Sequence, residues 1–327
     1  MSIIIRSRIY MNEIRIDNLT GKQVIIATNR RARPIDNRNR HEDKVNYKLQ
    51  YKHSDCPFCK GNEEETPYEI SKIGDENWSV RVVKNKYPTV IEDGDTIKGY
   101  HYVVIETPNH NKKLCQYKAE KWRDIFSAYK DAADKCFSDN DIKYLQIFKN
   151  YGREGGASLE HPHSQIVALN FTPQSKLMDD NYCKVCEEVE SELLAVERII
   201  LDRDNYIVYA PYGSYVQYQI RIAYKKHIGS FEEIFSDNGI DELSKLFEHV
   251  FKIIYISLGD IPLNICYYIY KDSNCCQHFY VDILPRGSFF AGFEMSTEVY
   301  INTISPEEAA NRFREVTAYV QVNKVEL

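Results

Sequence analysis

Two short stretches decide how this chain is read: Cys56-Pro57-Phe58-Cys59 and Cys183-Lys184-Val185-Cys186. Each is followed by strand-like alternation of apolar and polar residues, and the order of elements after the first pair recurs after the second. In the first half, Tyr102-Val103-Val104-Ile105-Glu106 reads as a strand ending near His110, a helix spans Ala119 to Phe137, and strands run Tyr144–Phe148 and His161–Leu169. In the second, Gln219–Tyr224 reads as a strand ending near His227, a helix runs from about Ile240 to Ile256, and strands follow at Asn264–Tyr270 and His278–Leu284. His227 follows His110 by 117 residues, and His278 follows His161 by the same 117. A tandem duplication accounts for this, with units at 1–178 and 179–327 and a closing helix from Pro306 to Val320 that opens on proline and two carboxylates.

The repeat gives the cysteines a purpose. One Cys-x-x-Cys alone fits a redox pair as well as a metal. Two copies, each followed by two histidines at the same mutual spacing, point to two Cys2His2 sites of the kind tetrahedral zinc takes. The first set is Cys56, Cys59, His110 and His161; the second is Cys183, Cys186, His227 and His278. Four protein ligands leave no position for substrate, so both sites are expected to be structural zinc. Cys115, Cys136, Cys266, Cys275 and Cys276 are read as small buried hydrophobes, and His41, His53, His101 and His249 have no partner that the sequence reveals.

Composition narrows the class. A chain of 327 residues, 43% hydrophobic and 28% charged, has the make-up of a globular protein of about two domains. Its 42 basic and 48 acidic residues give a net charge of −6, which argues against a general nucleic-acid or anionic-membrane partner. Met1–Tyr10 has three consecutive apolar residues before Arg6, short of a signal-peptide core and of the roughly 20 that span a bilayer. The expected location is the cytoplasm.

The stretch Gly155-Gly156-Ala157-Ser158-Leu159-Glu160-His161-Pro162-His163-Ser164-Gln165 carries the chemistry. On a strand, positions 161, 163 and 165 share one face. With His161 held by a metal, His163 is fixed beside it, Gln165 offers an amide donor to the same target, and Ser158 and the glycine backbone offer donors from the loop. A neutral imidazole attacking an α-phosphorus amid such donors is a nucleotidyl-transfer layout. The plainer reading of His-x-His is a further metal site or a surface pair. The 117-residue offset places Tyr280 and Asp282 opposite His163 and Gln165, so only the first copy reads as catalytic.

With these residues in view, the chain resembles the galactose-1-phosphate uridylyltransferase family of the histidine-triad superfamily, whose signature is a glycine-rich loop followed by His-Pro-His-x-Gln. Arg30-Arg31-Ala32-Arg33-Pro34 is similar to its early Arg-x-x-Arg-Pro, Asn85-Lys86-Tyr87-Pro88 to its Asn-x-x-Pro, and Phe148-Lys149-Asn150-Tyr151-Gly152 to its Phe-x-Asn-x-Gly. The resemblance implies an α+β fold of two histidine-triad-like units, antiparallel sheets flanked by helices. It makes His163 the nucleotidylated residue and Gln165 and Ser158 phosphate ligands. Asn85, Asn150 and Gly152 become nucleotide-side residues, and Arg30 and Arg33 phosphate-side charges. Uridylyltransferases carry a lysine where Ser288 stands and a glutamine where Tyr300 stands; these departures and the second Cys2His2 set look closer to the ADP-glucose phosphorylase-like branch. The activity implied is ping-pong transfer from a UDP- or ADP-hexose to a sugar phosphate or inorganic phosphate. The alternatives are a histidine-triad hydrolase and a nucleotide-binding protein without turnover, and a homodimer is among the assemblies the resemblance allows.

Overall fold

The computed structural model describes residues 12–32, 55–94, 96–173, 182–227, 231–270 and 278–323. Its first half runs β1 (Glu13–Ile16), β2 (Gln23–Ile26), β3 (Glu69–Ile73), β4 (Val80–Lys84), β5 (Gly99–Ile105), α1 (Ala119–Phe137), β6 (Tyr144–Tyr151) and β7 (His163–Leu169). The second half has α2 (Lys184–Ala195), β8 (Ile199–Asp202), β9 (Tyr206–Tyr209), β10 (Ile220–Tyr224), α3 (Phe231–Ile234), α4 (Asp237–Leu258), β11 (Leu263–Tyr270) and β12 (Tyr280–Pro285). It closes with α5 (Gly292–Thr297), β13 (Val299–Asn302) and α6 (Pro306–Asn323). The fold is α+β, as the sequence implies, and no helix among the described residues is long and apolar enough to cross a membrane.

Ten strands form one sheet in the order β3-β4-β5-β7-β6-β11-β12-β10-β9-β8. Read outward from the central β6–β11 pair, both wings follow the same sequence of equivalents, so the halves join edge to edge in a continuous sheet. The seam is antiparallel and fully paired over eight residues a side, with Asn150 opposite Asn264. That pairing removes the exposed edge each half would otherwise present. A second sheet, β1-β2-β13, joins the start of the chain to its end.

One face of the large sheet is mainly apolar because most alternate residues of its central strands are, Ser164 and Lys149 being buried polar exceptions. Ile166 and Ala168 of β7, Val281 and Ile283 of β12, and the buried sides of α1 and α4 share one core. Trp122, Ile125, Phe126, Tyr129 and Ala133 recur at helical spacing on α1 and are all buried. Trp122 stacks on Phe251 of α4 at 5.1 Å and meets Phe247 edge-on at 5.0 Å. Ser236 caps α4 by accepting from the Gly239 amide, and Gly259, at φ +80°, ends it in a conformation that side chains rarely adopt.

The opposite face differs between the wings. In the second wing it is filled: Leu19, Val185 and Val189 pack with Tyr268 and Tyr280, whose rings stack at 4.1 Å. Arg221 of β10 lies beneath, donating to Asp282 (2.7 Å), Glu188 of α2 (2.7 Å) and Asp17 (3.2 Å), all buried. In the first wing the same face carries His163 and Gln165. The last strand of each half begins two residues later than the alternation suggests, at His163 and Tyr280 instead of His161 and His278. Pro162 has no amide hydrogen for the ladder, and the rings of His161 and His278 are turned to the cysteines.

Replacing Arg221 with Met leaves three buried carboxylates around an apolar side chain. Loss of one partner of a buried ionic group costs about 3–5 kcal/mol. Urea titration is expected to show a correspondingly lower midpoint for Arg221→Met; an unchanged midpoint would mean that this cluster is not what holds α2 and the β1–β2 turn on the sheet.

Candidate functional site

The structure gathers both Cys2His2 sets. Within each, one donor atom per residue lies within 4.8 Å of the others, so a single ion can reach all four. Cys56 and Cys59 stand 3.6 Å from His161 Nδ1, and Cys59 stands 3.3 Å from His110 Nδ1. The second set repeats this, with Cys186 3.3 Å from His278 Nδ1 and 3.4 Å from His227 Nδ1. Even the supporting contacts are duplicated: His161 Nε2 donates to the Thr107 carbonyl and His278 Nε2 to the Tyr224 carbonyl, each at 2.7 Å. A ring that donates from Nε2 keeps a lone pair on Nδ1, the nitrogen facing the sulfurs. Burial pushes the Cys56 thiol up to about 11 and holds His161 and His278 down to about 4, so the imidazoles are neutral and ready to ligate. The second set is the more open of the two, with His227 exposed.

His163 opens β7 and is 6% exposed. Its Nδ1–H donates to the carbonyl of His161 at 2.8 Å, which leaves the lone pair on Nε2. Phe58, between the two cysteines, lays its ring against the imidazole at 5.3 Å between centroids. On the other side of the strand Lys149 Nζ donates to the His163 carbonyl (3.0 Å) and to Glu106 (2.8 Å), which also accepts from Tyr117 OH. Burial, with Lys149 adding to it, holds His163 below the usual histidine range. A neutral imidazole with a fixed bare Nε2 is what a nucleophile toward phosphorus requires.

Gln165 lies two residues along the same face, its Oε1 2.9 Å from His101 Nε2. The Asn85 amide nitrogen lies 3.0 Å from that same ring nitrogen. Asn150 accepts at Oδ1 from Asn264 Nδ2 (2.9 Å), which also donates to the Gly155 carbonyl (2.7 Å). Gly152 sits at φ +73° with Pro262 so close that an added Cβ would lie 2.9 Å from the proline ring. The glycine loop spends its own donors: the Gly155 and Ala157 amides donate to the Gly152 carbonyl and that of Gly156 to Arg153. The anion-binding nest expected of those amides is therefore not formed there. Ser158 stands exposed on the same loop, and Arg30 stands exposed on the 3₁₀ turn Thr28–Ala32 after β2; Arg33 lies outside the described residues.

Sequence reasoning passed over His101, Asn264 and the Lys149–Glu106 pair. His101 became visible as a site residue only because β5 starts at Gly99, earlier than its apolar run. Asn264 is the one polar side chain in Leu263–Ile269 apart from the tyrosine hydroxyls and the Cys266 thiol, and asking where its amide goes is the signal that finds it.

Residues 1–173 match the family model described as galactose-1-phosphate uridyl transferase, N-terminal domain, and residues 97–324 match a domain of unknown function. ADP-glucose phosphorylase of Arabidopsis thaliana is 30% identical over 336 residues, 93% of this chain and 93% of the relative. Galactose-1-phosphate uridylyltransferase of Thermotoga maritima is 25% identical, over 93% of this chain and 98% of the relative. The crystal structure of the Arabidopsis ADP-glucose phosphorylase with bound ADP-glucose superposes with a TM-score of 0.78 at 28% identity, covering 93% of this chain and 99% of that one. The repeated Cys/His framework, the His-Pro-His-x-Gln strand and these likenesses lead to one assignment: the chain belongs to the galactose-1-phosphate uridylyltransferase family.

Proposed function

We propose that the protein is a nucleotidyltransferase acting on an ADP- or UDP-hexose by a ping-pong route through His163. The observation that carries this reading is the hydrogen bond from His163 Nδ1 to the His161 carbonyl, which leaves Nε2 bare. In the first step Nε2 forms a bond to the α-phosphorus while the bond from phosphorus to the bridging oxygen breaks, and the hexose leaves as its 1-phosphate. In the second an oxygen of inorganic phosphate or of a sugar phosphate takes the nucleotidyl group and returns the lone pair to Nε2. Gln165 and Ser158 are assigned to the phosphoryl oxygens, Asn85, Asn150 and Gly152 to the nucleotide side, and Arg30 and Arg33 to phosphate charge. The unit 1–178 carries the nucleophile, and the unit 179–327 supports it and faces the substrate. The names of the relatives support the substrate class, and the reading places the protein in the cytoplasm.

Zinc is the metal assigned to both Cys2His2 sets. Zinc–sulfur bonds of about 2.3 Å and zinc–nitrogen bonds of about 2.0–2.1 Å in a tetrahedron set sulfur and nitrogen about 3.5 Å apart. The separations here run from 3.3 to 3.6 Å. With all four positions taken by protein, bound zinc would supply structure: it would pin the Cys56–Cys59 turn, and with it Phe58, to the strand that carries His163.

Brief mixing with ADP-glucose or UDP-glucose and no acceptor, quenched at alkaline pH for intact-mass analysis, is expected to show one nucleoside monophosphate added to the wild type and none to His163→Ala. Release of free nucleoside monophosphate without any adduct would favour a hydrolase instead. Acid is expected to release the metal and lower stability together. His161 and His278 bind protons near pH 6.5 when unfolded but only near pH 4 when folded, so their contribution is present above pH 6.5 and is lost as pH falls toward 4. That window is the metal-free protein's, and bound zinc is expected to move it to lower pH; zinc release followed with a chromogenic chelator should coincide with unfolding as pH falls, and unfolding at the same pH with and without zinc would contradict the ligand assignment.

A further inference from the structure

His101 is 8% exposed, lies in the middle of neither metal set, and has both ring nitrogens engaged. The Thr89 backbone amide donates to Nδ1 at 3.0 Å. A main-chain N–H has a fixed polarity, so Nδ1 must accept, and the single proton of the neutral ring sits on Nε2. Burial keeps His101 below the usual histidine range, in accord with a neutral ring. Nε2–H then donates to Gln165 Oε1 at 2.9 Å. A carboxamide has one accepting and one donating end. With the oxygen taken by His101, the NH2 of Gln165 is the end left for a ligand.

The segment after β4 is wound around the same residue. The Asn85 backbone amide donates to the His101 carbonyl (2.8 Å) and Asn85 Oδ1 accepts from the Tyr87 amide (2.8 Å); the Asn85 NH2, 3.0 Å from Nε2, is a second donor beside that N–H and makes no hydrogen bond to it. One imidazole thus joins the Asn85–Thr89 segment to the strand of His163.

We propose that His101 is a positioning residue, which turns the fixed polarity of the Thr89 amide into a fixed orientation of the Gln165 carboxamide and so presents N–H donors to the phosphoryl group passing to His163. This rests on the nucleotidyl-transfer reading above. A Gln165 turned the other way would aim its carbonyl oxygen at an anion, opposing the charge that develops on the non-bridging oxygens. The role needs no proton transfer by His101: the ring relays hydrogen-bond polarity from one fixed donor to one adaptable amide.

The test is the rate of nucleotidyl-adduct formation in single turnover with ADP-glucose or UDP-glucose, whichever loads the wild type. His101→Phe keeps an aromatic ring but removes both hydrogen bonds, and misplacing a catalytic contact by about 1 Å costs on the order of 100-fold. The loss is expected in the transfer rate at saturating nucleotide sugar, with metal content unchanged. His101→Gln, which can set an oxygen on Thr89 and an N–H on Gln165, is expected to recover most of the rate. The double variant His101→Phe/Gln165→Ala should be no slower than Gln165→Ala alone, because both changes remove the same contact. Losses that multiply, or a folded His101→Gln as slow as His101→Phe, would overturn the inference while leaving the nucleotidyltransferase in place. A wild type that forms no adduct with either donor would remove the functional reading itself, and the role of His101 with it.

Discussion

His161 makes contacts that the rest of the site depends on. Its Nδ1 faces Cys56 and Cys59, its Nε2 donates to the Thr107 carbonyl, and its own carbonyl accepts from His163 Nδ1. The first two contacts fix where the residue stands, and the third converts that position into a tautomer for its neighbour. Without a held His161 carbonyl, His163 is free to carry its proton on either nitrogen, and only one of the two tautomers leaves Nε2 bare. The cysteine turn adds Phe58 to the wall against the ring. A Cys2His2 set that could hold a metal ion and the proposed nucleophile are in this way two ends of one three-residue segment, His161-Pro162-His163.

The duplication explains both the symmetry of the frame and the asymmetry of the site. The two wings meet at β6–β11, and the supporting contacts of the two Cys2His2 sets agree even in the distance from ring nitrogen to carbonyl. Where the first wing has His163 and Gln165, the second has Tyr280 and Asp282, covered by the Tyr268 ring, Arg221 and the turn around Asp17. Buried rings and a buried ionic cluster occupy that position. The second half instead serves the first from across the seam, where Asn264 holds Asn150 and the Gly155 carbonyl and Pro262 presses on Gly152.

Much of this was legible because it is local or periodic. The helix from Ala119 to Phe137 is written in its apolar spacing, and α4 differs from the reading by a few residues at each end, where capping by Ser236 and Gly259 decides the boundary. The equal spacing of His110–His227 and His161–His278 was enough to pair each histidine with a cysteine turn more than 40 residues away. Contacts set by strand neighbours were not legible. Whether the halves form one sheet or two depends on the pairing of β6 with β11, which have more than 100 residues between them and no local signal. His101 meets Gln165, and Asn264 meets Asn150, for the same reason: each pair lies on adjacent or nearby strands whose register no single segment encodes. The glycine loop misled in a different way, since its sequence suits an anion nest but its amides close on the loop itself.

The most direct test of the account is the protonation of His163 in the metal-loaded protein, read from the ring ¹⁵N shifts in long-range ¹H–¹⁵N correlation spectra near neutral pH, with His163→Gln to assign the signals. A neutral ring with hydrogen on Nδ1 and a bare Nε2 is the result the geometry predicts. A ring protonated on Nε2, or one exchanging freely between the two tautomers, would contradict the claim that His161 prepares the nucleophile.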